Sequence, residues 1–346
     1  MKRFFLLTGF IFVALGVLFG QVQYKSKYPD IPIVDVHIHI GGFVLTITPD
    51  DVPATGIINY LKVSETIKQK YGSNLAFWIN VNEPGTAGPE MKVLGNNRVL
   101  HATSIYQPHR GLSITADEVI SKVQHEGYTG LKFWFGDPKR VLTEGQPGIT
   151  EMDNAVYDEF FSALERENVL LTSLHIADPN GPFGNRQNWM ADPVYFWKQI
   201  RAFENVVAKY PNLTIVAAHC VWLVCQDAQI DYLRYMLSTY PNLYCEIAAT
   251  FQYMPLVNYD NLRNFYIEYQ DRIMFGTDGG NVADSAIEST ADRYASTFAI
   301  LETDQMVNSG RRTIQGLNLP REVLEKIYYK NALKLYPGLK EAIGLR

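Results

Sequence analysis

Short runs of β-branched and aromatic residues alternate with amphipathic segments along almost the whole chain, and that alternation predicts a fold before any chemistry is considered. The first run, Ile31 to Val34, continues into Asp35-Val36-His37-Ile38-His39. A Gly-Gly pair and a long polar loop follow, and then a helical segment around Ile58, Leu61 and Ile67 with lysine and glutamate between. Leu75 to Val81 and Val99 to Tyr106 read as the second and third strands, a helix forms around Val119 and Val123, and Thr129 to Phe135 is the fourth strand. Between Asp153 and Arg166 the spacing of Val156, Phe160 and Leu164 behind an aspartate marks a capped helix leading into Val169 to Ile176. Trp197, Ile200, Phe203 and Val207 line the next helix, which ends at Tyr210-Pro211-Asn212-Leu213 before Ile215 to His219. The same phrase returns as Tyr240-Pro241-Asn242-Leu243 before Tyr244 to Ala248. Arg272 to Thr277 is the eighth strand and ends in Asp278, and Val323, Leu324, Ile327, Tyr328, Leu333 and Leu335 belong to a last helix.

Eight strands alternating with helices predict an α/β fold of the (β/α)8 TIM barrel type, one domain over residues 21–346. An open doubly wound sheet is the alternative. The G-x-G-x-x-G that its dinucleotide-binding form needs after the first strand is absent.

Composition narrows the class. A hydrophobic fraction of 47% supplies a large core, and a charged fraction of 19% is too low for disorder. The net charge of -5, with no Lys/Arg cluster beyond short pairs, argues against nucleic acid and for a small-molecule partner. A homo-oligomer stays open. Met1-Lys2-Arg3 followed by an uncharged apolar run from Phe4 to Gly20 has the layout of a secretory signal. The expectation is an exported protein, periplasmic or extracellular, with residues 1–20 removed or kept as an N-terminal membrane anchor. No second stretch is long and apolar enough to span a bilayer. Cys220, Cys225 and Cys245 read as buried thiols, with a Cys220–Cys225 or Cys220–Cys245 disulfide as the alternative.

The active site of a parallel barrel lies at the C-terminal ends of its strands, so polar residues there carry the chemistry. Alternation puts Asp35, His37 and His39 on one face of the first strand, with the two imidazoles side by side. His175, His219 and Asp278 end the fifth, sixth and eighth strands, so four of the seven histidines fall on one rim. Two imidazoles converging from one strand suit zinc or another borderline divalent metal.

As a set, Val34-Asp35-Val36-His37-Ile38-His39, Ser173-Leu174-His175-Ile176-Ala177-Asp178-Pro179, Val216-Ala217-Ala218-His219-Cys220, Phe275-Gly276-Thr277-Asp278-Gly279 and Lys330-Asn331-Ala332-Leu333-Lys334-Leu335-Tyr336 resemble the amidohydrolase superfamily. Within it the chain is similar, from Val34 to Leu335, to the branch of dicarboxylate lactonases and aminomuconate or aromatic-acid decarboxylases. That resemblance implies one divalent metal, zinc or else manganese, held by His37, His39, His175 and Asp278, with His219 facing the substrate or serving as a further ligand. It implies a metal-dependent hydrolase whose activated water attacks a lactone, ester or amide carbonyl of a small acidic substrate. Asp278 would move the proton and His219 would polarise the carbonyl. The alternatives are a non-oxidative decarboxylase of an unsaturated or aromatic acid, and a non-catalytic barrel that binds a ligand.

Further residues have assignable roles. Asp35, one pleat deeper, is an acceptor for orienting an imidazole. Lys132, in Gly130-Leu131-Lys132-Phe133, anchors a substrate carboxylate, or, as in some subtypes of the superfamily, bridges two metals as a carbamate. Arg110 and Arg186 are carboxylate clamps, and Trp134, with Phe135, Phe183 and Trp189, walls a pocket for a planar substrate. His109 is an exposed loop residue, and His101 and His125 are structural. Glu246 is a buried hydrogen-bonding acid with no catalytic role assigned.

Overall fold

The computed structural model describes residues 23–40, 56–82, 98–136, 148–179, 193–309 and 312–345. The expected signal or anchor over 1–20, and Phe183, Arg186 and Trp189, lie outside the described residues. Eight parallel strands follow one another in sequence order in a single sheet: β1 (Pro32–Ile38), β2 (Asn74–Asn80), β3 (Arg98–Thr103), β4 (Tyr128–Phe135), β5 (Leu170–Ile176), β6 (Ile215–Ala217), β7 (Leu243–Glu246) and β8 (Ile273–Met274). The chain just past β8 joins the two ends of the sheet. The Val36 amide donates to the Phe275 carbonyl (3.0 Å), the Asp278 amide to the His37 carbonyl (2.9 Å) and the His39 amide to the Gly279 carbonyl (2.6 Å). The result is the predicted (β/α)8 barrel. Its strands carry near-continuous apolar runs because both faces are covered, and every residue of β5 is buried.

The helices are α1 (Gly56–Tyr71), α2 (Ala116–His125), α3 (Asp158–Arg166), α4 (Pro193–Lys209), α5 (Asp227–Thr239), α6 (Tyr259–Glu268) and α7 (Ile287–Glu302). α2 opens on a capping box in which Thr115 and Glu118 satisfy each other's amides. The helix expected behind Asp153 starts later. Asn154, not Asp153, caps a 3-10 turn over Ala155–Tyr157, and α3 follows it. On α4 Trp197 is 37% exposed; the buried stripe is Phe196, Ile200, Phe203, Val206 and Val207. The repeated Tyr-Pro-Asn-Leu phrase has a structural reason at its second copy, where the Asn242 amide donates to the carbonyls of Val207, Tyr210 and Leu213.

The last predicted helix is broken into α8 (Arg321–Glu325), a π turn over Lys326–Lys330 and α9 (Asn331–Leu335). The Ile327 carbonyl accepts from the Phe275 amide, so the bulge lends a helix acceptor to the barrel strand. A two-stranded hairpin, β9 (Met306–Ser309) with β10 (Arg312–Gln315), and the short α10 (Leu339–Ala342) were not expected. All three cysteines are buried free thiols; Cys220 donates to Cys245 across 3.6 Å, and the alternative disulfides are not formed. Among the described residues no helix is long and apolar enough to cross a membrane.

Candidate metal centre

β1 places His37 at its penultimate residue and delivers His39 one position past its end, both buried, with ring centroids 5.0 Å apart. Each imidazole is oriented through its Nδ1. His37 Nδ1 donates to Oε1 of Glu246, the last residue of β7, at 2.7 Å. His39 Nδ1 donates to Oδ1 of Asn82 at 2.8 Å, and the same oxygen accepts from His101 Nδ1 at 3.0 Å. With the protons on Nδ1, both Nε2 atoms carry lone pairs. These two atoms are 3.1 Å apart, and Asp278 Oδ1 lies 3.3 Å from the first and 3.1 Å from the second.

Asp278 is aimed there by its backbone. Its φ of 61° lies in the left-handed region, which aspartate tolerates better than most residues, and its amide is tied to the His37 carbonyl. Three acceptor atoms therefore converge with no proton of their own to share. Separations of 3.1–3.3 Å are what a shared divalent cation at bonds of ~2.0–2.2 Å produces, so the donor set fits a metal. Lys132 reaches the same centre: its Nζ is 3.0 Å from His37 Nε2 and donates to the Ser173 carbonyl at 3.0 Å. It sits buried at the centre, not at the mouth.

His175 is close by but outside this triad. His219 Nδ1 donates to the Ala248 carbonyl (2.8 Å), which leaves His219 Nε2 to accept from His175 Nδ1 (3.2 Å). His175 Nε2 is then a buried lone pair without a hydrogen-bond donor, 3.4 Å from Asp178 Oδ1. Among the described residues two groups bring ligand atoms close enough for one ion, His37–His39–Asp278 and His37–His219–Glu246. The sequence-predicted shell is thus assembled for three of its four members, with His175 one imidazole away.

The chain strains itself to present His219. Residues His219, Cys220, Val221 and Trp222 all have φ between 49° and 58°, a left-handed turn that costs roughly 1–2 kcal/mol per non-glycine residue. The turn folds the Trp222 indole onto the His219 ring, with centroids 4.2 Å apart and planes 22° apart. Trp134 stacks on His175 in a similar way at 5.5 Å.

Burial sets the protonation states. It holds His37 well below its ordinary pKa, helped by the Lys132 charge, and lowers His219 to about 4. It lowers Lys132 to about 8 and pushes Glu246 up. Asp278 feels the same desolvation, yet the field of His37, with His39 and His219, keeps it well below the carboxylate range. His37 and His219 are therefore neutral at neutral pH, and Asp278 is ionised.

Other expectations shift. Asp35 orients no imidazole: it accepts from the amides of His37 (3.0 Å) and Thr277 (3.1 Å) and from the hydroxyls of Thr277 and Tyr294 (both 2.5 Å). Its carboxylate lies level with the chain after β8, and burial raises its pKa to about 7. The orienting acid is Glu246, which also accepts from the amides of His219 (3.2 Å) and Ala248 (2.5 Å). An acid ending an otherwise apolar strand was its signal; Asn82, Trp222 and Tyr294 carried none. Arg110 and His109 are exposed in the turn after β3, His125 is exposed at the end of α2, and His101 is held by Asn82. Phe135 is buried core.

Residues 98–338 match a family model described as amidohydrolase. No curated protein matches the sequence. Among solved structures the chain is similar to an uncharacterized TIM-barrel protein from Bordetella bronchiseptica, with 15% identity, a TM-score of 0.50, and 90% of this chain and 99% of that one covered. It is also similar to 4-oxalomesaconate hydratase from Rhodopseudomonas palustris (15% identity, TM-score 0.47, 90% and 97% covered). A third is 2,6-dihydroxybenzoate decarboxylase from Rhizobium (15% identity, TM-score 0.40, 81% and 76% covered). At such identities the likeness is one of fold.

Proposed function

Because the chain belongs to the amidohydrolase family of enzymes, we propose that it is a metal-dependent hydrolase acting on a lactone, ester or amide carbonyl of a small acidic substrate. The observation that carries this reading is the meeting of His37 Nε2, His39 Nε2 and Asp278 Oδ1 within 3.3 Å, all as acceptors. These three residues, with His175 as the fourth, would hold the cation; imidazole and carboxylate together favour zinc, with manganese as the harder alternative. When bound, a divalent ion there supplies a Lewis acid and lowers the pKa of water toward ~7.

The protein's own groups do the rest. Asp278, ionised and only partly buried, accepts the proton of the attacking water and returns it to the leaving group. His219 is neutral and anchored by Nδ1 on Ala248, so its Nε2 enters the reaction as an acceptor. As an acceptor it aligns the attacking water, and it does not polarise the carbonyl as the sequence reading expects. Glu246 fixes the His37 tautomer, and the Lys132 ammonium adds positive charge beside the reacting atoms.

The test is product analysis in oxygen-18 water with metal-loaded protein and a panel of lactones, esters and amides of carboxylic acids. One labelled oxygen and an unchanged carbon count support hydrolysis. Release of carbon dioxide from an unsaturated or aromatic acid replaces it with decarboxylation, and binding without turnover replaces it with a binding protein. Export belongs to the same proposal, supported by the apolar run behind Met1-Lys2-Arg3, and N-terminal sequencing of protein from fractionated cells tests it.

A further inference from the structure

The barrel is irregular on both sides of β1 at the level of His37. On the β2 side Asp35 pairs with Trp78 and Ile38 with Asn80, which leaves one extra residue on β1, a bulge that contains His37. On the other side the Val36 amide donates to the Phe275 carbonyl, and the next rung of a regular parallel pair would be the Thr277 amide on the Val36 carbonyl. The Thr277 amide goes to Asp35 Oδ1 instead (3.1 Å), and the ladder resumes with the Asp278 amide on the His37 carbonyl (2.9 Å). A slip of one residue turns a strand's side chains to the other face, so this seam decides whether His37 and Asp278 meet.

Asp35 fills both defects with one carboxylate. Oδ1 accepts from the His37 amide, inside the bulge, and from the Thr277 amide, across the seam. Oδ2 accepts from the hydroxyls of Thr277 and of Tyr294 on α7. The neighbouring turn is held from the other flank, where the Tyr60 hydroxyl of α1 donates to the Gly280 carbonyl at 2.8 Å. A carboxylate with 0% exposure is expensive, and an apolar residue would fill the same space. What the carboxylate adds is a single acceptor shared by the two segments that carry His37 and Asp278.

We propose that Asp35 is a positioning residue of the metal centre. Through the backbone amides of His37 and Thr277 it holds His37 Nε2 and Asp278 Oδ1 at the 3.3 Å separation that one shared ion requires. This rests on the metal centre, and not on which bond the enzyme breaks.

Cobalt(II) is the probe, because its visible bands report affinity and coordination geometry together. It is titrated into the wild-type protein, Asp35→Ala, Asp35→Ser and Asp35→Asn, all below their melting transitions. Alanine removes both ties. Serine still accepts from the amide two residues on but is too short to reach Thr277. Asparagine keeps the shared oxygen and donates from its NH2 to the two hydroxyls, which can accept. Affinity should fall at least about tenfold in the alanine and serine variants, with altered bands, and stay within about threefold of wild type in Asp35→Asn, since loss of a group that orients ligands costs about 10–100-fold. Should Asp35→Ala fail to fold, Asp35→Ser carries the test. Wild-type affinity and bands in a folded Asp35→Ala or Asp35→Ser protein overturn the proposal and leave Asp35 as an anchor of the fold. An Asp35→Asn protein as weak as Asp35→Ala overturns it too, because charge and not the shared acceptor would then be what counts. No cobalt binding by the wild type removes the centre and the proposal together. Cobalt affinities that follow the predicted order, with no hydrolysis of any ester, keep this proposal and remove the hydrolase.

Discussion

Replacing Glu246 by Gln tests how this centre sets its own ligand chemistry. The wild-type carboxylate accepts three hydrogens, from His37 Nδ1 (2.7 Å), the His219 amide (3.2 Å) and the Ala248 amide (2.5 Å). A glutamine of the same shape keeps one acceptor oxygen. If that oxygen faces His37 and His219, the new NH2 meets the Ala248 N–H; if it faces Ala248, the NH2 meets the other two donors. Either orientation leaves at least one buried donor without an acceptor, which costs about 1–3 kcal/mol of stability. The second orientation also drives the His37 proton from Nδ1 to Nε2 and blocks the lone pair that a metal needs. Loss of an orienting partner of this kind costs about 10–100-fold in metal affinity, equivalent to about 1.4–2.7 kcal/mol. Competition against a chelator of known affinity gives the metal constant, and a thermal melt gives the stability. Wild-type metal affinity in a folded Glu246→Leu protein, which offers His37 no acceptor in any orientation, would refute the assignment of Glu246 as the group that orients His37.

His175→Ala should lower metal content while the barrel stays folded, because the residue sits at a strand end outside the core; full occupancy measured by elemental analysis would remove His175 from the shell. His219→Ala should keep its metal and lose about 10²–10³ in kcat, and loss of the metal instead would make His219 a ligand. Glu302 tests the electrostatics far from the centre. It is buried, accepts from Ser26 Oγ (3.0 Å), the Lys27 amide (3.2 Å) and the Tyr328 hydroxyl (3.1 Å), and burial pushes its pKa up. A raised folded-state pKa contributes stability that is complete below the unfolded value of ~4.3 and is lost as pH rises through the folded value. The melting temperature of Glu302→Gln relative to wild type should therefore climb with pH across that window, and a flat difference would contradict it.

The barrel was legible because its signal is local and repeated: each strand is an apolar run covered on both sides, and each helix carries its own stripe. What the pattern could not show were features set by long-range acceptors. The π turn at Lys326–Lys330 answers to the Phe275 amide, more than fifty residues back along the chain. Asp35 and Glu246 are a matched case. Period-two alternation put Asp35 on the histidine face, but the register shifts between Asp35 and Ile38, and Thr277 and Tyr294, over 240 residues away, claim its oxygens. The orienting role passes to an acid on β7, two strands away around the ring. His37, His39 and Asp278 were found because strand ends on one rim must converge. His175 was placed on that rim too, but rotamer and tautomer decide whether a side chain joins its neighbours, and a sequence specifies neither.

Metal per chain, measured on the purified protein beside His37→Ala and Lys132→Ala, bears most directly on the central claim. The account predicts about one divalent ion, lost with His37 and retained without Lys132. No metal in the wild-type protein, or about two with one lost in Lys132→Ala, would contradict a single centre built on His37, His39 and Asp278.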